Sequence, residues 1–454
     1  MRTLFFSLTT GLIILISASI VSASSFGDTY GFSPTGISTG NAMTAHVNDW
    51  SSVYYNMAGL GRTVGQKRRG ESINHLSMNY LSTYPDFNLS INRYILDEDS
   101  NLVPVSTDAT EGLDFGMFVL GAAFDLNKIF KLWDFVSSAR FGIGVGINDD
   151  LSVVKLNDFE PQTHNYPRYG RDAQRTMVLS GVGLGFMDDT FGVGIGTNAT
   201  FGGDGKVLLK DVQVGTEPQS PEAQSIMNLK LKPALLMGLY FSPGKLFPAA
   251  KGVELGFSYK QKSRLDISPF STVAVTEAGG IPLNLELSIF GYWQPDTYTL
   301  GTSVEIGKKT VVSFDVEYQE WSEYEHSVHM EANHKDILPD LDNIIVPKFG
   351  LQYQVSDPVM LLGGYYYQPS FIPNKAVSGD VNWLDNDKHV LSFGLKWRLP
   401  LIERMQGPVD FSIGYQMKFL EDRNVDKTAP DLLNPDYSYD GTCHTLMLGL
   451  QINL

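Results

Sequence analysis

Several groups of side chains have types and spacings that could do chemistry. His326, His329 and His334 share a segment with Glu331, and imidazoles around a carboxylate are donors for a zinc-type site. Their spacing is loose and fits no ligand motif, so a solvated loop is the competing reading and no metal is expected. Asp315 and Glu317 could divide acid and base roles. Two apart on one strand, they share a face, where bonds to a plug or to water are the simpler use. Gly142, Gly144 and Gly146, then Gly181, Gly183 and Gly185, then Gly192, Gly194 and Gly196, suggest a phosphate cradle. Their spacing is G-x-G-x-G rather than G-x-G-x-x-G, and neither a helix pattern nor a ribose-binding acid follows. GGDGKV at 202–207 lacks P-loop spacing and reads as a turn. No serine sits in a nucleophile elbow. No catalytic residue and no cofactor is expected; the glycines leave room on one strand face for a plug or a ligand.

The elements carrying these residues are strands. Leu446, Leu448, Leu450, Ile452 and Leu454 alternate with Thr445, Met447, Gly449, Gln451 and Asn453. Segments 409–419 and 311–320 repeat that two-residue period with one apolar and one polar face. Such segments run to about ten residues, the length of a tilted transmembrane strand. Trp321, Tyr365, Tyr366, Tyr367 and Trp397 at their ends read as interfacial girdle residues. The expected strands are 72–94, 113–126, 138–148, 175–187, 191–201, 228–242, 252–266, 283–306, 311–320, 347–355, 359–368, 389–398, 409–420 and 443–454. Pro85 and Pro295 mark kinks or bulges in the two long ones. Loops at 149–174, 202–227, 321–346, 369–388 and 421–442 are long, whereas 188–190, 307–310 and 356–358 are tight. Long loops on one side and tight turns on the other predict an all-β fold, a 14-stranded antiparallel transmembrane β-barrel in an outer membrane. A lumen that wide must leak or be plugged. The residues left to plug it are 24–70, ahead of a barrel over 71–454.

The compartment agrees. Arg2, an apolar stretch over Leu4–Val21 and the small residues Val21-Ser22-Ala23 read as a secretory signal peptide over 1–23. The competing membrane anchor is interrupted by Ser7, Thr9, Thr10, Ser17 and Ser19. Past the signal no apolar run is long enough for a helical span. Cys443 is the single cysteine, so no internal disulfide forms. A formal charge of -16, with Lys67-Arg68-Arg69 as the one basic cluster, excludes a nucleic-acid binder.

The stretch GISTGNAMTAHVNDWSSVYYNMAGLG resembles the N-terminal hatch of the FadL family, outer-membrane transporters of long-chain fatty acids and other hydrophobic compounds. Asp49, Tyr54, Tyr55, Asn56, Ala58, Gly59 and Leu60 match its acidic residue, Tyr pair and Asn-Pro-Ala-Gly-Leu motif, with Met57 in place of proline. WLDNDKHVLSFGLKW (383–397) and VVSFDVEYQEWSEY (311–324) resemble later family segments. The resemblance implies passive uptake by a monomeric barrel with an N-terminal hatch. A fatty acid or hydrocarbon is captured by outer loops, passes to an inner apolar pocket and leaves into the membrane lipid through a lateral opening beside the hatch. Phe270, Val273, Val275 and Ile281 are the candidate capture residues, and Asp385, Asp387 and Lys388 a charged anchor at the outer mouth. Asn56 is expected to tie the hatch to strand groups. A lipid-acting enzyme and a general porin remain alternatives, the first requiring a Ser–His pair and the second an open lumen.

Overall fold

The structure is a computed structural model. It describes residues 26–63, 73–96, 102–108, 113–127, 129–130, 134–148, 164–170, 174, 177–210, 222–274, 283–324, 340–379, 381–399, 407–430 and 434–454. The signal segment, the 67–69 basic cluster and the 326–334 histidines lie outside these.

Period-two alternation builds one closed sheet. Its segments are β1 (His75–Leu96), β2 (Leu102–Asp108), β3 (Phe115–Asp125), β4 (Val136–Asn148), β5 (Met177–Phe186), β6 (Phe191–Lys210), β7 (Glu222–Phe241), β8 (Val253–Lys260) and β9 (Ser263–Ala274). There follow β10 (Leu283–Gln294), β11 (Thr297–Ile306), β12 (Thr310–Gln319), β13 (Ile344–Ser356), β14 (Val359–Gln368), β15 (Lys388–Leu399), β16 (Val409–Val425) and β17 (Tyr437–Asn453). β2 and β3 lie end to end against β1, and β8 with β9 face β11 with β10 in the same way. The seventeen segments therefore make fourteen wall strands, and β1 pairs with β17 to close the barrel. Closure removes the unpaired edge that lipid would not tolerate.

The alternation sorts lipid from lumen. Leu448, Leu450, Phe419 and Phe314 are exposed on the outside, while Ser412, Gln416, Lys418 and Thr445 are buried inside. Buried polar residues facing inward mean that the lumen is filled at these positions.

The structure corrects several expectations. Trp321 and Tyr366 are not girdle residues. Trp321 turns inward in the short helix Trp321–Glu323 after β12, and Tyr366 faces the lumen because three consecutive strand residues cannot share a face. Tyr365 and Trp397 do point outward. The second strand is split, with β2 reaching higher along β1 than 113–126 would. Over 202–227 the backbone remains strand to Lys210 and resumes at Glu222, a hairpin that rises above the wall. Above Gly202 that hairpin pairs in parallel with β9, leaving β7 and β8 joined only between Leu236–Phe241 and Lys260–Leu255. Phe270 and Val273 consequently lie on strand β9 rather than in a loop, and Val275 and Ile281 fall outside the described residues. Pro295 sits at the break between β10 and β11. Pro85 lies in β1 between its pairings with β3 and β2, where a missing N–H is harmless.

Residues 26–63 occupy the lumen, and the glycine-rich wall makes room for them. A Cβ on Gly142 would lie 2.7 Å from Val53 and 2.8 Å from Leu60, and one on Gly144 2.7 Å from Phe32. On Gly183 it would meet the Gly61 nitrogen at 2.7 Å, and on Gly194 it would strike the Met57–Ala58 backbone. Each glycine admits the inserted chain where any side chain would exclude it. Replacing Gly194 with Val should leave heat-modifiable barrel mobility on a gel intact while displacing the insert. In planar bilayers the variant should therefore conduct severalfold more current than the parent; equal conductance would show that the wall is not fitted to the insert at this point.

Candidate functional site

The insert has little regular structure, so local side chains shape it. Ser33 caps the helix Pro34–Ser38, its hydroxyl accepting from Gly36 N at 3.1 Å, with Pro34 at the first position. Asn56, in extended backbone, caps the short 3-10 helix Met57–Gly61 by accepting from Ala58 N at 3.1 Å. Asp49 accepts from Ser51 N at 2.8 Å and from the Ser51 hydroxyl at 2.6 Å, opening the turn into the helix Ser52–Tyr55. Tyr54 stacks on Phe32 with ring centres 5.1 Å apart. The Tyr55 hydroxyl accepts from Phe32 N and donates to Asn41 Oδ1, both at 2.9 Å.

The wall then grips this insert through polar groups. Asn56 Nδ2 donates to Thr44 O at 2.7 Å and to Leu239 O of β7 at 2.9 Å, so Asn56 joins insert to wall. Arg140 of β4 is buried and donates to Leu60 O at 2.6 Å, Ile73 O at 2.9 Å, Asn48 O at 2.5 Å and Gly59 O at 3.2 Å. Asp315 accepts from Thr44 N at 2.9 Å, whereas Glu317 pairs with Lys348 at 2.8 Å. The two carboxylates are thus structural partners, not an acid–base pair. Met57 and Leu60 are buried against the wall glycines, with the Met57 thioether beside Gly181 and Gly196.

Two spaces flank the insert. Below it, a chamber of about 460 Å3 is lined by His46, Asp49, Asp357, Lys396, Arg398 and Asp410 among others, with Met43, Val47 and Met360 between them, and is more polar than apolar. Beside it, a narrow crevice of about 10 Å3, room for a single water, lies between Val53 and Tyr54 of the insert and Met177, Leu179, Leu236 and Gln261 of the wall. Asn198 also lines it, with a buried side-chain oxygen that finds no hydrogen-bond partner among the described residues. Lys260 at its rim pairs with Asp28 at 3.0 Å and sits 3.7 Å from the Tyr54 ring centre.

The outer mouth is closed by loops folded inward. Asp385 and Lys388 form a buried ion pair at 2.5 Å, and Arg168 Nε approaches Asp385 at 3.6 Å. The Arg168 guanidinium lies 4.8 Å from Trp321 and 4.5 Å from Phe371, two rings stacked 4.0 Å apart. Asp387 accepts from the Tyr367 hydroxyl at 2.6 Å and from Ser370 N at 2.8 Å. The anchor residues are therefore held inside the closure, not solvated on a loop. Arg140, Arg168, Lys418 and Asp28 were not singled out from sequence; a lone charge in an apolar or glycine-rich stretch, as at Arg140, was the available signal. Among the described residues no cluster of His, Cys, Asp and Glu could hold a metal.

Burial pushes the Asp385 carboxyl up, but Lys388 and Arg168 outweigh it and hold it below the ordinary carboxylate range. Its stabilising contribution is present above the unfolded-state value of about 4 and is lost as the pH falls through the lower folded value. Asp385→Ala strands two buried cations, a loss of about 3–5 kcal/mol. Limited proteolysis at neutral pH should cut the outer loops of this variant at least tenfold faster than those of the parent, with the barrel core resistant in both. Asn56→Ala removes a cap, one bond within the insert and one insert-to-wall bond, about 1–3 kcal/mol. Hydrogen exchange over 44–61 should accelerate in that variant while strand amides stay protected.

Comparison with known proteins follows from this geometry. Residues 168–454 match the family described as outer membrane protein transport protein (OMPP1/FadL/TodX). The chain is 26% identical over 201 residues to alkane uptake protein A of Marinobacter nauticus, covering 42% of this chain and 44% of that protein. The match thus spans less than half of that relative's length. Among solved structures, a Pseudomonas aeruginosa FadL homologue has a TM-score of 0.54 at 13% identity, covering 96% of this chain and 100% of the other. The P. putida toluene transporter TodX has a TM-score of 0.51 at 14% identity, covering 94% and 99%. At such identities these two structures speak for the fold. With the family match over the C-terminal majority of the chain and the closed barrel, this chain belongs to the OMPP1/FadL/TodX family of bacterial outer-membrane transport proteins.

Proposed function

We propose that the protein is a passive, monomeric channel for hydrophobic compounds, which the outer loops capture and which leave sideways into the membrane lipid beside residues 49–60. The observation that supports this most strongly is the filled lumen above a charged chamber. Residues 26–63 stand in the path of a polar solute. An apolar molecule passing straight down would enter the chamber bearing Asp49, Asp357, Asp410, Lys396 and Arg398. There it would forfeit the roughly 25 cal/mol per Å2 gained by leaving water. Moving sideways keeps it in apolar surroundings.

Two irregularities of the wall lie beside the insert and suit such an exit. The β4–β5 register shifts between Val136 and Ser138, where Ser138 donates to Gly61 O. The β7–β8 ladder ends at Leu236 and Lys260, on the crevice that Val53 and Tyr54 line. Met57, flexible and unbranched, is the part of the insert that yields most readily to a passing ligand. Phe270, Val273, Val275 and Ile281 are the proposed capture residues, and Asp385, Asp387 and Lys388 anchor the closed outer loops. The substrate class we infer is supported by relatives named for alkane uptake and toluene transport, and by the resemblance to fatty-acid transporters. It comprises long-chain fatty acids and hydrocarbons.

Uptake of radiolabelled oleate and hexadecane by cells lacking their own channel should rise severalfold when this protein is expressed. Deleting 56–58 should abolish that rise while heat-modifiable mobility persists. No rise with either compound, or a large steady conductance of the parent protein, would refute the proposal.

A further inference from the structure

Outer-membrane barrels ordinarily end on the periplasmic side in short polar turns, and part of this barrel does. The β11–β12 turn is Gly307-Lys308-Lys309 and the β13–β14 turn contains Asp357-Pro358, with both lysines exposed. Three neighbouring turns differ. The β3–β4 connection exposes Ile129, Phe130 and Phe135, the β5–β6 turn exposes Met187, and the β7–β8 connection exposes Leu246 and Phe247, each between 49% and 65%. Exposed apolar residues scattered singly need no explanation, but a contiguous group does.

These turns form one pad. Asp188 N donates to Ser137 Oγ at 2.8 Å, Ser242 N to Thr190 O at 2.8 Å, and Lys245 Nζ to Asp188 O, which ties the second turn to both others. Phe135 stacks on Phe186, whose ring is 6.1 Å from Phe191 at the foot of the lipid-facing wall. The pad is thus continuous with the outer apolar face of the barrel. The two short helices Pro243–Lys245 and Pro248–Ala250 flank Leu246 and Phe247, with Lys245 and Lys251 exposed beside them. Apolar and aromatic side chains next to lysines are the pattern of a segment lying in a membrane interface.

We propose that these three turns are embedded in the periplasmic leaflet of the outer membrane as an anchoring pad. The apolar band is then taller on the β3–β8 side than on the β11–β14 side, and the barrel tilts so that the taller side sits deeper. That side is also where Asn56–Gly61 meets β4–β7. The pad therefore presents lipid at the foot of the insert; this last consequence rests on the proposed sideways release, whereas the embedding does not.

Spin labels report the embedding directly. In the full-length protein carrying Cys443→Ser, single cysteines at Phe247→Cys, Met187→Cys and Lys308→Cys would be labelled. The protein would then be reconstituted in phosphatidylethanolamine–phosphatidylglycerol bilayers. Heat-modifiable mobility selects folded samples. Labels at 247 and 187 should collide severalfold more with oxygen than with a water-soluble nickel chelate, and the label at 308 should do the reverse. Nickel collisions dominating at both 247 and 187 would overturn the proposal and place the pad in the periplasm, open to a protein partner. Because uptake is not the readout, this result stands apart from the test of transport.

Discussion

A polypeptide with little regular structure, sealed inside a membrane barrel, has carbonyls that neither helix nor sheet will satisfy. Unmet, each would cost free energy on the scale of a lost hydrogen bond. Arg140 resolves much of this alone, one guanidinium reaching carbonyls at 48, 59, 60 and 73. Burying a charge is unfavourable unless it is richly bonded, and here the bonding is what makes both the charge and the insert tolerable. Lys418 likewise donates to Thr29 O of the insert at 2.5 Å, Asp315 accepts from the Thr44 N–H, and Asn56 of the insert donates to the wall carbonyl of Leu239. The insert is held by polar bonds at its edges and by apolar packing between them.

The wall in turn is shaped for the insert. Glycine weakens a strand by about 0.5–1 kcal/mol relative to alanine, yet β4, β5 and β6 carry it at alternate positions. The compensation is close approach: Met57, Ala58, Leu60 and Gly61 lie where wall side chains would otherwise stand. Contact of this kind is dense but shallow, since glycine offers no side chain to interlock. The ladder of the wall is closed by its own strand pairing and does not depend on this contact.

The two ends of the lumen are closed differently. Above, aromatic rings and the Arg168–Asp385–Lys388 ions form a compact closure, and Tyr169 of that closure meets Tyr30 of the insert edge-on at 6.3 Å. Below lies a polar chamber. Apolar packing around the insert thus gives way to charged groups toward the periplasm. The Tyr30–Tyr169 contact also means that the outer loops and the insert are not independent bodies.

Much was legible in one dimension. Period-two alternation in 311–320, 409–419 and 445–454 depends only on which side chains share a face, so strand count, parity and membrane side follow from sequence. The expectation that 24–70 fill the barrel rested on its width and on no other residues being free, and the described part of that segment, 26–63, lies in the lumen. Asp385 and Lys388 were singled out by resemblance, but not their burial as an ion pair. What sequence did not reveal needed contacts between distant residues: that Arg140 feeds four carbonyls, that Trp321 and Tyr366 turn inward, and that the 202–227 region extends as a hairpin pairing with β9. Local pattern determined the barrel because alternation is a property of neighbours along the chain. Only the tertiary structure decided how the lumen is filled and closed, because those bonds join residues tens to hundreds of positions apart, whose meeting no local period records.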